Sequence, residues 1–381
     1  MDLSRDIDDE EIRKIIRQEI IHTARDRPLS IYERVQLERE IFFSLRKLDA
    51  LQELLEQPGV TEIMINGPDR IFIEEEGRLH KSNVTFSSEE KLYDVIQQIV
   101  AENNRVVNES SPIVDTKLMD GSRVNVILPP VSVDGATVTI RRFPKERIDM
   151  KKLLSIGSVD EEVSDFLRQL VVTGYNIFVC GGTGSGKTTF LNALTDFIPK
   201  DERVITIEDS AELQIRGVEN LVRLETRNAT LEGKLEIKMR DLVRSALRMR
   251  PDRIILGEVR GPEALEMLTA ANTGHDGTLS TGHANSCRDM VSRLETMVLM
   301  ASDVDLPLSA IKKQIASGID IFIHLGRLKS KERKLLEIAE VIGMEDDEVS
   351  LRTLYEYEEE GDRGRWVKKN ELFHTQKLMT N

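Results

Sequence analysis

The stretch NIFVCGGTGSGKTTF, residues 176–190, decides the fold. Ile177 to Cys180 is an apolar run that reads as a buried strand, KTTFLNALTDF reads as a helix, and Gly181 to Thr188 at their junction spell G-x-x-x-x-G-K-T. A strand before and a helix after this motif are the context of a phosphate-binding loop. Its glycines let the backbone close around phosphate without Cβ clashes, while amide N–H groups and the helix N-terminus supply positive dipole. Gly181, Gly182, Thr183, Gly184, Ser185, Gly186, Lys187, Thr188 and Thr189 are therefore the candidate ATP-binding residues. Lys187 is placed for the β and γ phosphates and Thr188 for a magnesium ion, so ATP and Mg2+ are the expected cofactors.

Outward from the loop, short apolar runs alternate with helical patterns: RVITIED, MRDLVRSALRM, RIILGEV, PEALEMLTAAN, TLSTGH, RDMVSRLETMVLM, PLSAIKKQIASG and IFIHL. Such alternation predicts an α/β unit with a largely parallel sheet covered on both faces, here over 158–345. Strand ends at the carboxyl edge of such a sheet meet ligands. RIILGE brings Glu258 there, and RVITIED brings Glu208 and Asp209. Gly257 stands where many phosphate-loop proteins place an aspartate, so Glu258 is either the base that orients water, the favoured reading, or part of the metal shell. Glu208 and Asp209 then join Thr188 as candidate magnesium-side residues, partly through water, or help orient the nucleophile, with Glu208 the catalytic candidate. Arg240, Arg244 and Arg248 recur every four residues and predict a positive helical stripe that faces an anionic neighbour or solvent.

The N-terminal part has another texture. Ile12, Ile15, Ile16, Ile20 and Ile21 at helical spacing predict a small helical region over 1–50, broken at Pro28. Residues 51–145 mix strands (VTEIMINGP, RIFIEEEGRL, SRVNVILPP, ATVTIRRFP) with the helix KLYDVIQQIVAENN, a smaller α+β domain. Residues 146–157, after Pro144, read as a linker, and 346–381 as a C-terminal tail that suggests further strands and an irregular, charged end, with the single tryptophan, Trp366, in a packed strand or a partner contact.

Composition narrows the classes further. The 381 residues carry a formal net charge of −14 and 4% aromatics, which disfavours nucleic acid as the main partner and a RecA-like nucleic-acid motor as the function. Two cysteines, Cys180 and Cys287, give no disulfide framework. With no apolar leader or long apolar run, the expectation is a cytoplasmic protein.

Four segments together resemble one family. GGTGSGKTT, VITIEDSAEL, RMRPDRIILGEVRGPEA and TAANTGHDGTLSTGHANS are similar to the Walker A, Asp box, Walker B and His box of the type II/type IV secretion ATPase superfamily. The wording RGPEA and NTGHDG resembles its CpaF-like branch, the motors of tight-adherence (Flp) pilus assembly, and the neighbouring type IV secretion branch shares every motif. The resemblance runs from about residue 50 to about residue 345. It implies a RecA-like ATPase domain behind a smaller N-terminal domain, assembled as a homo-hexameric ring peripheral to the cytoplasmic face of a membrane. It also implies inner-membrane platform proteins as partners and a pilin or secreted substrate moved indirectly.

By the same resemblance His283, the second histidine of the His box, approaches the γ-phosphate, while His275 positions its strand. Arginines of the N-terminal domain, here Arg123 and Arg141, reach the γ-phosphate as fingers that neutralise developing charge. Strand alternation puts Arg141 and Arg142 on opposite faces, so one of the two points to the site. Arg227 and Arg260 are further candidates for contacts across a subunit boundary.

Overall fold

The computed structural model describes residues 8–24, 29–75, 77–143, 147–227, 236–301, 306–360 and 363–379; Pro28 and Pro144, expected as break points, lie outside them. The chain divides into two compact units, Met1–Lys145 and Glu146–Asn381. None of the described helices is long and apolar enough to cross a membrane.

In the first unit α1 (Asp9–Thr23) and α2 (Ile31–Arg46) pack on each other. Ile12, Ile16 and Ile20, one turn apart, bury with Phe42 and Phe43, whereas Ile21 falls off this face and is exposed. Ser30 starts α2 with a capping box: its hydroxyl accepts from Glu33 N, and Glu33 accepts from Ser30 N. After α3 (Ala50–Glu56) come β1 (Val60–Asn66), β2 (Ile71–Glu75), β3 (Arg78–Lys81), α4 (Glu89–Glu102), β4 (Ile113–Lys117), β5 (Arg123–Ile127) and β6 (Thr137–Arg141). The strands form one antiparallel sheet in the order β3-β2-β1-β6-β5-β4. Alternation sorts its faces. Val124, Val126, Val138 and Ile140 bury with Leu92, Ile96 and Ile99 of α4, and Arg123 and Arg141 take the opposite parity.

The second unit is built on β7 (Ile177–Gly181), buried along its whole length. The helices are α5 (Met150–Ser155), α6 (Glu161–Val172), α7 (Lys187–Thr195), α8 (Met239–Ala246), α9 (Glu263–Ala271), α10 (Cys287–Leu299), α11 (Leu308–Gly318) and the short α12 (Gln376–Met379). The strands after β7 are β8 (Val204–Glu208), β9 (Leu221–Glu225), β10 (Arg253–Leu256), β11 (Leu279–Gly282), β12 (Ile321–Arg327), β13 (Arg333–Glu345), β14 (Glu348–Glu360) and β15 (Arg363–Lys368). They order as β15-β14-β13-β12-β7-β11-β10-β8-β9, parallel from β12 to β9 and antiparallel from β12 to β15. Both faces are covered, as unbroken apolar strands require. Phe178, Cys180, Ile205, Ile207, Ile254 and Leu256 pack toward α8 to α11, and Ile177, Val179, Val204, Ile255 and Leu279 toward α5 to α7.

Of the two end segments of this unit, one matches its sequence reading and one differs. The further strands suggested for the C-terminal segment are present as β14 and β15, which extend the sheet, and Trp366 Nε1 donates to Leu335 O. Leu354 and Tyr355, consecutive residues where the β13–β14 register shifts, are both buried ahead of the acidic run that ends β14. Within 147–157, Met150 and Leu153 of α5 are buried, and Arg147 bridges to Asp196 at 2.6 Å, so these residues pack within the second unit rather than forming an open linker.

Candidate nucleotide site

The loop between β7 and α7 has the backbone its glycines permit. Gly184 and Gly186 take φ +69° and +95°, the left-handed region that glycine occupies without penalty. At Gly181 an added Cβ would stand 2.4 Å from Leu325 O of β12, so only glycine lets the two strands meet there. Gly182 and Thr183 are exposed at the loop tip, Ser185 is buried, and Thr188 and Thr189 are half-buried in the first turn of α7.

Lys187 Nζ donates to Gly181 O and Gly182 O, each at 3.1 Å, and lies 3.2 Å from His283 Nδ1. His283 follows β11, the strand beside β7, which is why residues nearly a hundred apart in sequence meet. An ammonium facing Nδ1 makes that nitrogen an acceptor and leaves the proton on Nε2. His283 Nε2 is 2.8 Å from Glu258 Oε1, and Arg260 Nη2 donates to Glu258 Oε2 at 2.7 Å. Lysine, histidine, carboxylate and arginine thus form one row along the sheet edge.

The electrostatics of the row are consistent with its geometry. Burial, and next the Lys187 charge, hold the His283 imidazole below its ordinary value, which keeps it neutral. Burial alone would raise the Glu258 carboxyl, but the Arg260 hydrogen bond and charge, with His283 and Lys187, outweigh it and hold it below the usual range. Glu258 is therefore held in its ionised form. Its buried Oε1 faces His283 Nε2 at 2.8 Å without a well-aligned hydrogen bond.

Glu208 ends β8, beside β10, and its side chain crosses the face of Gly257, where a Cβ would be 2.9 Å from Glu208 Cγ. The carboxyl accepts from Glu212 N and Leu213 N on Oε2, and its Oε1 is buried without a partner. Burial pushes it up to about 7 against those two hydrogen bonds. The space that an aspartate at 257 would use is filled from the neighbouring strand. Asp209 is exposed, within 3.4 Å of Thr226 Oγ1. Among the described residues no three His, Cys, Asp or Glu side chains are grouped to hold a metal by themselves. The orphaned Glu208 Oε1 and the Thr188 hydroxyl nevertheless suit a hydrated cation that phosphate would help to hold.

Other sequence candidates lie elsewhere. His275 precedes β11 and His283 follows it, so the two histidines stand at opposite ends of one strand; His275 Nδ1 is 3.4 Å from Thr273 Oγ1. Gly277 of the same segment, at φ +77°, leaves room for the buried guanidinium of Arg253, which a Cβ would approach to 2.7 Å. Arg240 and Arg244 both bind Glu266 of their own chain, at 3.1 and 2.7 Å, and Arg248 lies beyond the end of α8, so the expected three-arginine stripe does not exist. Arg260, expected at a subunit boundary, holds Glu258; two residues apart on an extended exit from β10, that partnership was open to a sequence reading.

Arg123 and Arg141 belong to the first unit and are direct cross-strand partners of β5 and β6. Their row continues through Lys117 opposite Arg123 and Glu62 opposite Arg141. Arg142, of the other parity, donates to the carbonyls of Leu55, Gln57 and Val60.

A parallel sheet with a phosphate loop at its carboxyl edge and an ionised glutamate beside it defines a phosphate-loop nucleotide hydrolase. The family model described as Type II/IV secretion system protein matches residues 45–355. The chain belongs to that family and is an ATP hydrolase of it. It is 34% identical over 295 residues to a candidate conjugal transfer protein of Mycobacterium tuberculosis, covering 76% of this chain and 83% of that one. It is 32% identical over 302 residues to the type IV secretion system protein PtlH of Bordetella pertussis, covering 74% and 89%. The fold is similar to that of the Legionella pneumophila ATPase DotB, with TM-score 0.55 and 24% identity over 76% of this chain and 79% of that chain.

Proposed function

We propose that the chain is the motor ATPase of a type IV secretion machine of the conjugation class, working as a homo-hexameric ring at the cytoplasmic face of a membrane. The observation that carries the hydrolytic part is the row Lys187, His283, Glu258 and Arg260 beside the phosphate loop. Lys187 and the loop amides hold the ATP phosphates, and the Glu258 carboxylate orients the attacking water. His283 senses phosphate, because an anion that draws Lys187 away removes the charge at its Nδ1. Magnesium, when bound, neutralises phosphate charge, and Thr188 with Glu208, and Asp209 through water, are the residues that would hold it. Arg123 and Arg141 close the first unit on the γ-phosphate, and its loss relaxes the closure; repeated around a ring, this moves membrane platform proteins and, through them, the exported substrate.

The names of the two relatives favour the conjugal and type IV secretion side of the family. Tight-adherence pilus assembly, with a pilin as the moved substrate, is the second reading, supported by the wording RGPEA and NTGHDG. A strain lacking this chain separates them: loss of substrate transfer with surface pili intact supports the first, and loss of pili alone the second.

The enzymatic reading is tested by steady-state ATP hydrolysis of the chain and of Glu258→Gln, with mass measured by light scattering. The expected result is nucleotide binding retained, turnover slowed at least ~100-fold, and a hexamer favoured by ATP and magnesium. Normal turnover in the variant would remove Glu258 from the chemistry, and a monomer under every condition would remove the ring.

A further inference from the structure

The segment RLKSKERK, Arg327 to Lys334, spans the turn between β12 and β13 and carries five cations and one acid in a chain of formal net charge −14. Arg327, Lys329, Lys331 and Arg333 are all exposed. A solvated turn accounts for Lys329 and Lys331, but not for Arg327, which is fastened to the phosphate loop itself. Its Nε donates to Gly184 O at 3.1 Å, and its Nη2 is 3.1 Å from where a Gly184 Cβ would stand. Arg333 is its direct partner across the ladder, with Cδ 3.7 Å from the Cβ position of Gly186. Like charges facing one another across a ladder repel, and this pair stands against two glycines of a loop shaped to receive an anion.

We infer that Arg327 is a ligand of the nucleotide polyphosphate, with Arg333 adding positive charge, and that the β12–β13 hairpin is a second wall of the nucleotide site. The inference rests on the phosphate-loop assignment and lies outside the four motifs. One donor of the guanidinium holds the Gly184 carbonyl, and the rigid fork leaves Nη donors for phosphate oxygens. The occupant is a nucleoside di- or triphosphate.

Calorimetric titration of the full chain with ADP at several salt concentrations tests this, using Arg327→Gln, Lys329→Gln and Lys187→Ala. Arg327→Gln is expected to lose about tenfold or more in affinity and to flatten the salt dependence, with its melting temperature in the absence of nucleotide unchanged. Lys329→Gln should stay near wild type. Affinity and salt slope unchanged in Arg327→Gln would overturn the assignment, as would an equal loss in Lys329→Gln, which would make the effect a diffuse field. Loss of binding to anionic phospholipid vesicles with ADP affinity intact would reassign the hairpin to a membrane surface and overturn it too. Wild-type binding of ADP that Lys187→Ala abolishes would leave the phosphate-loop reading standing in each of those cases; failure of the wild type to bind ADP would remove both.

Discussion

Glu208 lies across Gly257, so close that a Cβ at 257 would stand 2.9 Å from Glu208 Cγ. The missing side chain on β10 and the carboxylate of β8 are one feature, since the second occupies the room left by the first. Gly257→Ala should displace Glu208, lower stability by about 1–3 kcal/mol as overpacking does, and reduce hydrolysis while ADP still binds. Calorimetric melting and ADP titration of the variant check this; wild-type stability and turnover together would show the space to be slack.

Glu208 also sets a pH dependence. Its carboxyl is raised from 4.5 to about 7, so the folded chain binds the proton more tightly than the unfolded chain between those values. Stability therefore falls as pH rises from about 4.5 through about 7, and the ionised buried group costs about 3 kcal/mol above that window. Glu208→Gln, which keeps an acceptor for Glu212 N and Leu213 N, should be more stable than wild type by about 2 kcal/mol or more at pH 8 and nearly equal at pH 5. Urea unfolding at the two pH values measures the difference, and the same offset at both would refute the cause.

Adjacent arginines of the first unit should behave oppositely. Arg142 satisfies three backbone carbonyls near α3 and β1, so Arg142→Ala should destabilise by about 2–4 kcal/mol. Arg141, on the exposed face and 4.0 Å from Glu62, should cost under about 0.5 kcal/mol when replaced by alanine. Similar losses in thermal scans of the two variants would contradict the assignment of faces.

The pair Arg123 and Arg141 is expected to matter for nucleotide-driven motion instead. In the double alanine variant, the change in distance between labels on the two units upon adding ATP should shrink or vanish. If the full wild-type change persists, the arginine closure is wrong.

Arg141 and Arg142 show what a linear reading reaches. Their opposite faces follow from the period of a strand, a local property of the backbone, and the structure has Arg142 turned inward to carbonyls. The phosphate loop was legible for the same reason, because its glycines, lysine and threonine are contiguous and their spacing is their geometry. The three-arginine stripe failed because helical spacing was extended past the residue where α8 ends, and because Glu266 of another helix was invisible to it.

The sequence by itself determined the alternation of strands and helices, the phosphate loop with its lysine, and the parity of each strand residue, all set by local sterics and periodicity. The tertiary structure alone decided strand order. Only with β11 beside β7, β8 beside β10 and β12 on the other side of β7 does His283 reach Lys187, Glu208 cover Gly257 and Arg327 touch Gly184. Such neighbours arise from long-range pairing and the burial of two sheet faces at once, and no stretch of chain carries that information alone.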